Sequence, residues 1–135
     1  MKKILILSMI LCLFGATQAQ TGKSSTGKST YTGTGAEIEF DKSYVNFGTL
    51  KVSEVKVVNV TFTNIGKKPL ILDDVVSSCD CTEVEWSKAP VMPGKQGTIK
   101  LTYTAKNKGL ISKRLTVLSN ANTDRVILQM KGEVQ

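Results

Sequence analysis

Apolar and polar residues alternate along most of the chain after its first third. In residues 98–104, for example, Ile99, Leu101 and Tyr103 alternate with threonine and lysine. A period of two is typical of a β-strand with one buried and one solvated face. By their pattern and β-branched content, six further segments are predicted as strands: residues 37–40, 44–47, 54–64, 70–76, 111–117 and 126–130.

These segments are short, and turn-forming residues such as Pro93-Gly94 separate them. No window of ten or more residues beyond residue 19 has an apolar stripe with the helical period of 3.6, so helical crossovers between strands are not expected. The pattern predicts an all-β chain, an immunoglobulin-like antiparallel β-sandwich of about seven strands.

The first 19 residues are typical of an export signal. Lys2 and Lys3 precede an apolar run over residues 4–14, and small residues follow up to Ala19. We expect cleavage after Ala19, and the apolar run is too short to span a bilayer. The mature chain is therefore predicted to be periplasmic or secreted, with no transmembrane segment after signal cleavage.

Residues 20–35 consist almost entirely of threonine, glycine, serine and lysine, which predicts a flexible linker before a single domain at residues 36–135. The linker contains Gly22 to Ser29, which match the P-loop expression. A P-loop needs a strand before it and a helix after it, and neither is predicted here. We interpret the match as a product of low-complexity sequence.

Charge and composition exclude several classes of function. Removal of Lys2 and Lys3 leaves 16 basic against 11 acidic residues, a net charge of +5, and an exported chain is not expected to bind nucleic acid. Histidine is absent, which excludes histidine-dependent hydrolases and removes the commonest metal ligand. We expect a non-enzymatic protein without cofactor or metal.

Two cysteines remain in the mature chain, Cys79 and Cys81, because Cys12 is expected to leave with the signal; Leu11 before it does not suit a lipoprotein signal. A disulfide between Cys79 and Cys81 requires a turn, since in an extended strand their Cα atoms lie about 6.5 to 7 Å apart. The alternatives are a Cu(I) site, a redox-active thiol pair, a buried pair, or bonding to another chain.

Asp80 and Trp86 are candidate contacts for a partner. A lone tryptophan can anchor a partner or cap a small core. Val84 and Trp86 share a face if they lie on a strand, which favours the core.

Several motifs match a known family in order: Asn46-Phe47-Gly48-Thr49, Phe62 to Leu70, Ser78-Cys79-Asp80-Cys81-Thr82, Pro90 to Gly97, Ser119-Asn120 and Lys131 to Val134. With these motifs the chain resembles the bacterial domain-of-unknown-function 1573 family. The resemblance implies an immunoglobulin-like sandwich related to the ASH, MSP and Hydin domains, which act chiefly as interaction modules. The family usually has glycine where this chain has Asp80.

The resulting hypothesis is an exported, non-enzymatic module that binds an unidentified protein partner. The alternative is a thiol-redox or copper-handling protein that uses Cys79 and Cys81.

Overall fold

The computed structural model describes residues 32–135. The predicted signal peptide, Cys12, the P-loop-like sequence and most of the predicted linker lie outside this range. Within it the chain forms eight strands: β1 (Ile38–Phe40), β2 (Tyr44–Leu50), β3 (Val55–Asn64), β4 (Leu72–Ser77), β5 (Thr82–Trp86), β6 (Gln96–Thr104), β7 (Gly109–Ser119) and β8 (Arg125–Val134).

The strands form two four-stranded sheets packed face to face. One sheet has the order β1-β3-β6-β5 and the other β2-β8-β7-β4. Every neighbouring pair is antiparallel except β2 and β8, which are parallel. In residues 32–135 no helix is long and apolar enough to cross a membrane. The predicted immunoglobulin-like sandwich is confirmed.

The eighth strand, one more than predicted, is β5, whose residues 82–86 lie outside the seven predicted segments. The strands predicted at residues 37–40 and 44–47 form β1 and β2, and these lie in different sheets, so the first edge of the sandwich is divided between the sheets. β1 pairs with the last three residues of β3, Phe62 to Asn64. The chain then crosses at residues 41–43 and continues as β2 beside β8 in the other sheet. The division leaves the first six residues of β3 without a neighbour on that side.

A bulge in β2 explains two of the glycines in the recognised motifs. The register shifts between Asn46 and Thr49, where Gly48 has a φ of 72° and donates its N–H to Asn46 Oδ1 at 2.8 Å. A Cβ on Gly132 of β8 would lie 2.8 Å from the Gly48 carbonyl oxygen. Glycine is thus required on both strands: at Gly48 for the positive φ, and at Gly132 for the close approach.

The space between the sheets is filled by the alternating apolar residues that predicted the strands. Phe47 of β2 stacks on Tyr103 of β6, with ring centroids 4.8 Å apart, and so joins the two sheets. The largest fully buried apolar side chains are Leu50, Leu70, Ile99, Leu101, Leu115, Met130 and Val117.

One polar side chain, Asn64, is fully buried at the end of β3. Its Nδ2 donates to the carbonyl oxygens of Lys68 at 2.7 Å and Val91 at 2.8 Å. Its Oδ1 accepts from the N–H of Gly66 at 2.9 Å and of Glu37 at 3.5 Å. A single amide therefore ties together the N-terminal segment, the β3–β4 loop and the β5–β6 connection.

Replacement of Asn64 by alanine leaves several buried backbone groups without partners. We expect Asn64→Ala to lower the free energy of unfolding by about 3 to 5 kcal/mol. The matched control, Asn59→Ala, changes an exposed residue of the same strand and is expected to stay within about 0.5 kcal/mol. Urea denaturation measures both. Equal stability of the two variants would contradict the role assigned to the buried amide.

Candidate functional site

Cys79 and Cys81 lie in the turn that carries the chain from β4 in one sheet to β5 in the other. Their sulfur atoms form a disulfide, and the Cα atoms are 5.1 Å apart. This separation is shorter than an extended strand allows, so the turn meets the condition for a bridge. Because the sulfurs are bonded to each other, this state offers no thiolate pair to a copper ion.

Asp80 occupies the family's glycine position without a left-handed backbone. Among residues 32–135 the one non-glycine residue with positive φ is Ser53, so the turn at Asp80 does not require glycine. The Asp80 side chain is 94% exposed, and Lys106 Nζ lies 3.8 Å from its Oδ2. An ion pair this exposed contributes little to stability.

The turn is hydrogen-bonded to both sheets. Ser78 donates its N–H to the Arg114 carbonyl oxygen of β7 at 2.9 Å, and the Arg114 N–H donates to Ser78 Oγ at 2.9 Å. The Cys81 carbonyl oxygen accepts the N–H of Thr104 of β6 at 2.9 Å. Cys79 is partly exposed and Cys81 is buried. The disulfide therefore lies in a short connection between the sheets, and hydrogen bonds to β7 and β6 already hold both ends of this connection.

Trp86 packs against the hydrophobic core at the end of β5 and is partly buried together with Val84. This arrangement agrees with the face that the two residues were expected to share. The Trp86 Nε1 atom is buried and has no hydrogen-bond partner. Most of the Trp86 ring is thus buried against the core, which leaves a small part of it exposed for a partner.

The acidic residues do not gather into one site. A register shift in β4 between Leu72 and Asp74 leaves Asp73 and Asp74 both exposed, whereas a regular strand would have placed them on opposite faces. Glu85 forms an ion pair with Lys100, with 3.1 Å between Glu85 Oε2 and Lys100 Nζ. In the described part of the chain no three His, Cys, Asp or Glu residues are close enough together to hold a metal ion.

The feature that the strand pattern alone did not identify is the unpaired edge of β3. Asp41 donates its N–H to the Thr61 carbonyl oxygen, and Ile65 donates to Glu37, so odd-numbered residues of β3 direct their backbone groups toward β1. The β3–β6 register is continuous, and this alternation therefore extends to Val55, Val57 and Asn59. Beyond the end of β1, their N–H and C=O groups face outward.

The surroundings of this edge are apolar on the outer face of the sheet and mixed on the inner side. Val55 is 56% and Val57 is 50% exposed, on the outer face of the sheet. On the inner side, a groove of about 640 Å³ lies between β3 and β2. Its lining residues are Asp41, Lys42, Ser43, Tyr44, Val45, Asn46, Val58, Asn59, Val60 and Thr61. We define the unpaired segment Val55–Val60 together with this groove as the β3 edge site.

The sequence contains one signal for this site. Residues 55–58 read Val-Lys-Val-Val, so apolar residues occupy both faces of the strand instead of one. A strand that is apolar on both faces is typical of one covered on both sides. Here the valines of the outer face are left exposed.

A family model described as a protein of unknown function, DUF1573, matches residues 38–134. The chain belongs to the DUF1573 family. A comparison with curated proteins yields no match. The family assignment confirms the resemblance carried by the sequence motifs, and it supplies no established activity.

Solved structures with the same fold come from bacteria and animals. A protein of unknown function from Porphyromonas gingivalis W83 is 16% identical, with a TM-score of 0.64; the match covers 73% of this chain and 46% of that one, so the chain spans about half its length. The ASH/PapD-like domain 7 of human CEP192 is 10% identical, with a TM-score of 0.64 and coverages of 80% and 92%. The MSP-domain protein SSP-19 of Caenorhabditis elegans is 13% identical, with a TM-score of 0.55 and coverages of 70% and 97%. At these identities the similarity concerns the fold alone.

The disulfide closes a loop of only three residues, so its removal is expected to cost little. The double variant Cys79→Ser/Cys81→Ser should fold and lose about 1 to 2 kcal/mol of unfolding free energy. Denaturation of the wild-type protein with and without a reductant provides the comparison, and the variant should not respond to the reductant. Complete unfolding of the reduced wild-type protein would show that the bridge is essential to the fold.

Proposed function

We propose that the chain is an exported, non-enzymatic interaction module that binds a protein partner through the β3 edge site. The observation that carries the proposal is the outward-facing backbone of Val55, Val57 and Asn59. An unpaired strand with apolar neighbours can accept a strand from another chain, which supplies the missing hydrogen bonds. The immunoglobulin-like fold, shared with ASH and MSP domains, supports this kind of role.

The alternative is thiol–disulfide exchange at Cys79 and Cys81. The observation in its favour is the partial exposure of Cys79 in a bridge that closes a very short loop. In such a reaction a dithiol protein would attack one sulfur, take over the disulfide and leave two thiols on this chain. Copper handling would additionally require the bridge to be reduced first. The two functions differ in whether binding survives without the cysteines.

Photo-crosslinking in the producing cell distinguishes these functions. A photoreactive residue is placed at Val57 in the β3 edge site, and control positions are Glu85 and Gln129, both exposed on other strands. We expect a discrete adduct from position 57, and the same adduct from the chain that also carries Cys79→Ser/Cys81→Ser. Loss of every adduct in the cysteine variant would favour the redox alternative. Absence of adducts from all three positions in both backgrounds would contradict a protein-binding role.

Export has its own test. Fractionation of the producing cell, followed by N-terminal sequencing, should find a mature chain that begins at Gln20 outside the cytoplasm, because small residues precede the expected cleavage point. An uncleaved chain in the cytoplasm would contradict export.

A further inference from the structure

We propose that the partner of the β3 edge site is an extended segment of another protein with alternating apolar residues and an acidic residue at each end. This inference rests on the proposed function and specifies the chemistry of the partner. It is carried by three features of the site: the direction of the free backbone groups, the shape of the groove, and the charges at its rim.

The backbone sets the conformation of the partner segment. Val55, Val57 and Asn59 present N–H and C=O groups that only another extended chain can pair in sequence. The unpaired part of β3, residues 55–60, spans about 20 Å at 3.3 Å per residue. This length accommodates about five or six residues of an added strand, which would continue along the same side of β3 as β1.

The groove sets the side chains on one face of the segment. Alternate residues of an added strand point inward, toward Val58 and Val60 on β3 and Val45 on β2. These three valines are the aliphatic residues among the ten that line the groove; Val45 and Val60 are buried and Val58 is half-buried, and polar residues surround them. The groove volume of about 640 Å³ holds several aliphatic side chains above the valines. The outward-pointing residues of the segment would lie beside the exposed valines Val55 and Val57.

The charges at the rim select acidic ends. Lys42 lines the groove near the crossing to β2, and Lys56 lies on the same side of β3 as Val58 and Val60. In the described part of the chain neither lysine belongs to one of the two ion pairs, which join Lys100 to Glu85 and Lys106 to Asp80. Asp41, also at the rim, offsets part of this charge. Acidic residues at the ends of the segment would pair with the two lysines.

Two other occupants fit the site less well. A second copy of this chain would bring the same lysine-bearing rim, and residues 32–135 carry 14 basic against 11 acidic residues, since Lys2, Lys3, Lys23 and Lys28 precede them. The chain's own residues 20–31 contain two lysines and no acidic residue, and Tyr31 is their only large apolar residue. The residues that follow this segment are fixed at the other end of β3. The Gly35 carbonyl oxygen accepts the N–H of Lys67, which lies just after the part of β3 that β1 covers.

The test uses a labelled heptapeptide, Asp-Thr-Val-Thr-Val-Thr-Glu, as an acidic probe, and the same peptide with lysine at both ends as a basic probe. In an extended conformation the two end residues and both valines share the face that points toward the groove. Fluorescence anisotropy with the folded wild-type chain should give saturable binding of the acidic probe and at least roughly tenfold weaker binding of the basic one. Failure of the acidic probe to bind at concentrations up to about 1 mM would overturn the proposal.

Charge reversal on the protein completes the test. The variant Lys42→Glu/Lys56→Glu should bind the acidic probe on the order of tenfold more weakly and the basic probe more tightly. The control Lys88→Glu/Lys95→Glu changes two exposed lysines of the β5–β6 connection and should bind both probes as the wild-type chain does. Circular dichroism checks that both variants are folded. If both double variants changed probe binding equally, the preference for the acidic probe would come from net charge alone. That result would overturn the assignment of Lys42 and Lys56 as the residues that bind the acidic ends.

Strand addition also requires that alternate amides of the probe hydrogen-bond to β3. Amides of an extended peptide point alternately to its two sides, so N-methylation of one alternate set should abolish binding and N-methylation of the other set should not. Equal effects of both sets would overturn strand addition. If these peptide tests fail while crosslinks at position 57 persist, the chain is still an interaction module whose partner has a different chemistry.

Discussion

The division of the first edge of the sandwich between β1 and β2 leaves part of β3 unpaired, although β3 lies inside the strand order of its sheet. β1 covers three residues of β3, and β2 then pairs with β8 in the opposite sheet. Each half is held in place by its own contacts: Asn64 binds the segment before β1, and the bulge at Gly48 fits β2 closely against Gly132. Because both halves are anchored, the first strand cannot extend along β3. The outward-facing backbone groups of Val55, Val57 and Asn59 therefore have no strand partner within residues 32–135.

Much of the fold could be predicted from the sequence because the core depends on side-chain alternation. Ile99, Leu101 and Tyr103 are buried as their period of two predicts, and turn residues such as Pro93-Gly94 mark the boundaries between strands along the chain. The assignment of β1 to one sheet and of β2 to the other could not be predicted in this way. It depends on where residues 41–43 cross between sheets, and strand pairing is a property of two segments that are distant in sequence.

The candidate site shows the same limit. The Cys79-Asp80-Cys81 motif was visible in the sequence, but its significance depends on a turn geometry that spacing does not determine. The turn brings the sulfurs together with an aspartate at its centre, and Asp80 does not need the positive φ that favours glycine. Conversely, Val55 and Val57 had the pattern of a covered strand. Only the tertiary structure reveals that nothing within residues 32–135 covers them.

The most direct test of this account is amide hydrogen exchange of the free protein, resolved by NMR residue by residue along β3. The account predicts alternation: the amides of Val55, Val57 and Asn59 exchange rapidly, whereas those of Lys56, Val58 and Val60, which face β6, are protected. Uniform protection of residues 55–60 would show that the edge is already paired and would contradict the central claim.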